Sequence, residues 1–158
     1  MRFDKKKFVQ VIQFVSLISI VAFFGFMLCI YTSHLSYWKQ VEPEEFLNWF
    51  STYSRGISVG TGPLGVMSLA FPLITLIMIR GHASSRTWWI MSIFLILGIF
   101  TITILFFVNT NNSFMNRTIS MDAIPQTLVI WGELHLARMV MALGAAFSAV
   151  IGIIKYQN

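Results

Sequence analysis

Residues 87–116 read TWWIMSIFLILGIFTITILFFVNTNNSFMN, thirty consecutive positions without Asp, Glu, Lys or Arg. A helix that crosses the ~30 Å hydrocarbon core of a bilayer needs about 20 apolar residues. This run exceeds that length, and it is not alone. Phe8 to Trp38 and Gly56 to Ile79 are equally free of charge. So is Met139 to Ile154, whose apolar pattern begins earlier, near Thr127. The reading is an all-α integral membrane four-helix bundle, one domain over 1–158, with helices at about 8–33, 60–80, 87–109 and 127–154.

The composition agrees. Hydrophobic residues make up 56% of the 158, charged residues only 11%, and mean hydropathy is +0.74. Soluble domains carry about 25% charged residues, so this chain cannot cover a globular surface in water. That excludes an ordinary soluble enzyme and a disordered chain. The single cysteine, Cys29, excludes an intramolecular disulfide and a Cys-only zinc site. The net charge of +5 maps onto topology rather than onto nucleic acid. Arg2, Lys5, Lys6, Lys7, Arg80, Arg86 and Lys155 fall on one side of four spans. The positive-inside rule places that side, with both termini, in the cytoplasm. A bacterial inner membrane is the expected location, with the lipid bilayer as the principal partner and no nucleic acid. The first segment has a basic start, but its apolar run is too long for a signal peptide, so it is read as a retained helix.

The first outer loop contains Pro43, Glu44, Glu45, Phe46, Leu47, Trp49 and Phe50. Pro in the first turn and acids near the N-terminus suit a short interfacial helix that caps the bundle. Gly60-Thr61-Gly62-Pro63-Leu64-Gly65 matches G-x-G-x-x-G literally. A dinucleotide site requires a preceding strand and a βαβ unit, so these glycines are read as a flexible entry into helix 2. In helix 4, Ala142, Gly144, Ala145, Ala146, Ser148, Ala149 and Gly152 allow close helix approach, which places that helix centrally.

The upper half of helix 4 reads Trp131-Gly132-Glu133-Leu134-His135-Leu136-Ala137-Arg138. Ionisable residues inside a span face protein or a wet cavity. At 100° per residue Trp131, His135 and Arg138 share one stripe, and Glu133 points the other way. Rise per residue puts His135 roughly 30 Å above Lys155, level with His34 on helix 1 and with Asn109, Asn111 and Asn112 on helix 3. The expected site is therefore an outward-facing polar pocket near the ends of helices 1, 3 and 4. His135 serves as ligand or general base and Arg138 as anion partner. Glu133 is a further catalytic candidate, and His34 a second ligand or proton carrier. His34, Trp131, Asn111 and Asn112 are the candidate cofactor-binding residues, and His34 with His135 the candidate metal ligands. Two histidines suit copper, iron or a haem, and a quinone is another candidate ligand. A structural hydrogen-bond network between helices competes with all of these, and no Ser-His-Asp or Cys-His nucleophile set is visible.

Helix number, the Asn-bearing end of helix 3 and a W-x3-(N/H)-x2-R stripe in helix 4 together resemble the anthrone oxygenase-like family of small membrane proteins. The motif falls on Asn111 or Asn112, Trp131, His135 and Arg138. Where the family often has a Pro-containing segment after helix 1, this chain reads Ser33-His34-Leu35-Ser36-Tyr37-Trp38. The resemblance implies oxidation of an activated phenolic ring carbon by dioxygen. From another class, the small size, the Ala/Gly face and the Trp-rich rim also suit a non-catalytic structural or assembly subunit. Such a subunit would partner other membrane subunits or form a homo-oligomer.

Overall fold

The computed structural model describes residues 4–157. Four long apolar helices make up the chain: α1 (Lys5–Trp38), α2 (Pro43–Met78), α3 (Ala83–Met115) and α4 (Met121–Gln157). Each is long and apolar enough to cross a bilayer, and the protein is an integral multi-pass membrane protein with an all-α four-helix architecture. The start of α1 and the end of α4 lie at one end of the bundle, the terminal end. The opposite end, the pocket end, carries the α1–α2 and α3–α4 connections.

Local sequence explains the boundaries. Asp4 caps α1 by accepting from the Lys6 and Lys7 amides. Pro43 opens α2 with Glu44 and Glu45 in its first turn, where the helix dipole favours acids. The expected short interfacial helix does form, but it does not stop. It continues through Gly60, Gly62 and Pro63 into the second span as one helix of 36 residues. Pro63 deprives a single carbonyl of its N–H partner, whereas a break would orphan several donors and acceptors at once. The Ser58 and Thr61 hydroxyls donate to the Ser54 and Ile57 carbonyls across this stretch. The α3–α4 connection turns at Arg117, which adopts a left-handed φ of 55° and hydrogen-bonds through its guanidinium to the Asn48 side-chain oxygen on α2.

Helix α4 is the central element. Half of its most apolar stretch is buried, against a third or less in the other helices. Of the small residues that predict this, all but Gly144 are buried. Close approach frees α4 carbonyls for side chains of α3: Ser92 Oγ donates to the Ala145 carbonyl at 2.9 Å and Ser85 Oγ to the Gly152 carbonyl at 2.7 Å. On the opposite side, Ser16 of α1 pairs with Thr75 of α2 at 2.9 Å. Hydroxyl bridges of this kind join helices that have no hydrophobic effect to drive them together in lipid.

Two π-helical segments interrupt the ladders at the pocket end, Ile30–Leu35 in α1 and Thr103–Phe107 in α3. A π turn re-aims side chains and is frequent at functional sites. Both segments contribute to the cavity described next.

Candidate functional site

The pocket end holds a cavity of about 290 Å³ bounded by all four helices. Trp38, Phe50, Phe107 and Trp131 supply aromatic walls, and Asn111, His135 and Arg138 supply polar groups. Small hydroxyl residues of α2, namely Ser54, Ser58 and Thr61, recur at i, i+4 and i+7 on the cavity side. Their size leaves the space that a larger face would fill.

His135 is only 1% exposed. Its Nε2 lies 2.9 Å from the Met27 carbonyl oxygen on α1. A carbonyl only accepts, so Nε2 carries the proton of this bond and Nδ1 is the bare nitrogen of the neutral ring. Nδ1 is buried and has no hydrogen-bond partner. The ring stacks on Trp131, with centroids 4.7 Å apart and planes at 12°, and is nearly parallel to Tyr31, at 6.2 Å and 4°. The imidazole is thus fixed in orientation by one hydrogen bond and two flat neighbours.

Arg138 is 7% exposed and sits with its Cζ 4.3 Å from the Phe107 ring centroid, a cation–π contact. No carboxylate among the described residues lies within ion-pair distance of it. Among the described residues the single ion pair is Lys7 with Asp4, at 3.9 Å. Arg138 Nε is buried without a partner. A buried guanidinium normally has a carboxylate or other anion beside it, and here that place is taken only by an aromatic face and the cavity.

The Trp131 indole N–H donates to Asn111 Oδ1 at 3.0 Å. Because an indole nitrogen only donates, the carbonyl side of the amide faces it and the Asn111 NH₂ remains for other partners. Asn112 also lines the cavity. Trp131, His135, Arg138, Asn111 and Asn112 therefore come together around one space.

The other sequence candidates do not join them. Glu133 is exposed on the opposite face of α4, as the helical angle from His135 requires. His34 lines a separate, more open cavity with Phe26, Trp49, Tyr53, Gly56 and Ile57. There it stacks on Trp38 at 6.0 Å and contacts Trp49 at 5.3 Å. The residue of this π segment that reaches His135 is Tyr31, not His34. The donor set does not suit a protein-held copper or iron ion. His34 and His135 face different spaces, the Nε2 of His135 is engaged by a carbonyl, and no group of three His, Cys, Asp or Glu side chains converges among the described residues. The same separation argues against a haem held by both histidines.

Four contributors were not singled out from the sequence: Phe107, Thr103, the Ser54-Ser58-Thr61 stripe and the Met27 carbonyl. The stripe had a signal in its spacing. The carbonyl had none, because a main-chain acceptor is the same at every residue.

No curated protein and no solved structure shows a significant match to the chain. The family model described as anthrone oxygenase matches residues 49–148, more than half of the sequence. That segment runs from α2 through the Trp131-His135-Arg138 stripe, and the chain therefore belongs to the anthrone oxygenase family.

Proposed function

We propose that the cavity binds a planar, weakly acidic aromatic molecule and activates it as its anion for reaction with dioxygen. The carrying observation is the pairing on one cavity wall of a neutral imidazole with a bare Nδ1 and a guanidinium without a carboxylate. His135 takes the proton at Nδ1, and Arg138 holds the anionic oxygen that results. Nδ1 is closed off from bulk water, so in this reading it takes its proton from the seated ligand, after a small side-chain adjustment at the cavity wall. Trp38, Phe50, Phe107 and Trp131 offer edges and faces to a flat ring system. The Asn111 amide is placed to donate to a second oxygen of the ligand.

The family name supports an anthrone-type ketone, whose enol is a phenol. The overall change balances as one CH₂ and one O₂ giving C=O and H₂O. The first proton goes to His135, and the electron-rich ring carbon reduces the dioxygen. Family membership and the anionic site support this reaction class. The basic residues at the terminal end support an orientation with the pocket end outward.

His135→Gln tests the reading. A Gln amide reaches the position of Nε2 and can still donate to the Met27 carbonyl, so the bundle persists, but no base remains. The expected result is a fall in dioxygen uptake with anthrone of about 100- to 10,000-fold, the usual contribution of a positioned base, with anthrone binding reduced far less. Equal uptake by wild type and variant in nanodiscs would remove His135 from the chemistry.

A further inference from the structure

We infer that the cavity fills sideways from the bilayer, through a slot between α2 and α3, so that its substrates are aromatics dissolved in the membrane. The inference rests on the cavity being the ligand site and adds the phase from which the ligand comes.

Exposure around the cavity is one-sided. The lining residues contributed by α1 and α4, including Trp38, Trp131, His135 and Arg138, are all buried. The exposed ones are Ser58 from α2 and Val108, Asn112 and Met115 from α3. The opening therefore lies between these two helices and not along the bundle axis.

The axial route is closed. Phe46 and Phe50 of α2, Phe114 of α3 and Trp38 of α1 are buried against one another, with ring centroids 4.9 to 5.7 Å apart. The hydrogen bond from Arg117 to Asn48 ties the α3–α4 turn over α2 on this side. An aromatic plug thus closes the cavity along the bundle axis, and the opening runs up the α3 edge from Val108 to Met115, the last residue of that helix.

The slot stands at the right height. Ser58 is twenty-one residues above the helix end at Ile79, roughly 31 Å, and Val108 is twenty-two above Arg86, roughly 33 Å. The lower end of the slot is thus at the boundary between acyl chains and headgroups for a ~30 Å core, where hydroxylated aromatics collect because one end is apolar and the other wet, and its upper end at Met115 reaches roughly 10 Å farther out. On its α2 edge the slot has side chains too small to block it. The Ser58 hydroxyl is already bonded to its own helix, so a passing ring does not strip it of a partner.

The experiment places a reporter inside the cavity: Thr103→Cys in a Cys29→Ser background, reconstituted in phosphatidylcholine nanodiscs. N-cyclohexylmaleimide, which partitions into lipid, is expected to label it, and a sulfonated maleimide confined to water to label it at least about 10-fold more slowly. Adding Val108→Trp or Ser58→Trp is expected to slow the lipid-borne reagent about 10-fold, and Phe46→Ala, which loosens the plug, is not expected to restore the rate. Equal labelling by both reagents, or labelling indifferent to both tryptophans, overturns lateral entry. Stopped-flow quenching by 2-naphthol preloaded in the lipid is measured in parallel, with the association and dissociation rates both expected to fall in Ser58→Trp. Absence of naphthol binding alongside slot-dependent labelling would refute the ligand reading and leave the route standing.

Discussion

Arg138→Met is expected to give a bundle that folds at least as well as the wild type and no longer retains an anionic aromatic. The guanidinium is 7% exposed and has no carboxylate partner among the described residues. A charge held in a span without an ion partner is a standing penalty: Arg at a helix centre is about 2.5–3.5 kcal/mol uphill, and Arg138, roughly 25 Å above Lys155, bears part of that. What opposes removal is the contact with Phe107, about 0.5–2 kcal/mol for a cation over a ring. Met keeps the apolar stem up to the position of Nε. The net expectation is a stability change between zero and about 2 kcal/mol in favour of the variant, read by thermal unfolding in detergent. Binding behaves oppositely. The anion loses its only cation, so affinity for 2-naphtholate is expected to drop about 100-fold, whereas its methyl ether, which carries no charge, binds both proteins alike. Arg138→Lys should recover part of the loss, because a point charge replaces a planar fork. A variant that unfolds readily and binds the naphthol as before would show Arg138 to be a structural residue.

The second large effect lies far from the cavity, at Gly152→Val. A Cβ at Gly152 would stand 2.8 Å from Trp89 Nε1 and 2.9 Å from its Cδ1. The Trp89 ring is fully buried and too large to turn aside. Ser85 is fixed to the carbonyl of the same glycine at 2.7 Å, so α3 cannot move away without breaking that bond. Overpacking of a close-packed core costs about 1–3 kcal/mol, and a β-branched side chain against an indole belongs at or above the upper end. A loss of about 3 kcal/mol is expected by denaturant titration in mixed micelles. Gly62→Ala is the matched control. Nothing lies within 4 Å of its Cβ, and an alanine there is expected to be neutral or to stabilise α2 by up to about 1 kcal/mol. Equal behaviour of the two variants would contradict the close packing of α3 on α4.

The sequence carried the four spans because bilayer thickness turns helix number into a matter of counting uncharged residues. It carried the centrality of α4 because small residues are what allow close approach in lipid, and Ala142, Ala145, Ala149 and Gly152 are buried as that logic requires. The Trp131-His135-Arg138 stripe was legible for the same geometric reason, since one helix face is fixed by angle alone. What was not legible depended on relations between helices. His34 and His135 line different cavities, and from the end of α1 it is Tyr31 that stacks on His135. The run from Pro43 to Met78 is one helix, where the Gly-Thr-Gly-Pro cluster reads as a hinge from local propensity. The partner of His135 is a main-chain oxygen at Met27, a contact with no side-chain signature.

The central claim is that His135 offers a bare Nδ1 which accepts a proton from an acidic aromatic held by Arg138. It is tested most directly by ¹⁵N NMR of histidine-labelled protein in bilayers, with the His135 resonance assigned through His135→Gln. The account predicts Nε2 protonated and Nδ1 unprotonated in the resting protein. It predicts that the Nδ1 resonance moves on addition of anthrone or 2-naphthol, as that nitrogen accepts the ligand's acidic proton, but not on addition of the naphthol methyl ether. A resting ring protonated at Nδ1 with Nε2 bare, or an Nδ1 signal indifferent to every one of these ligands, would contradict it.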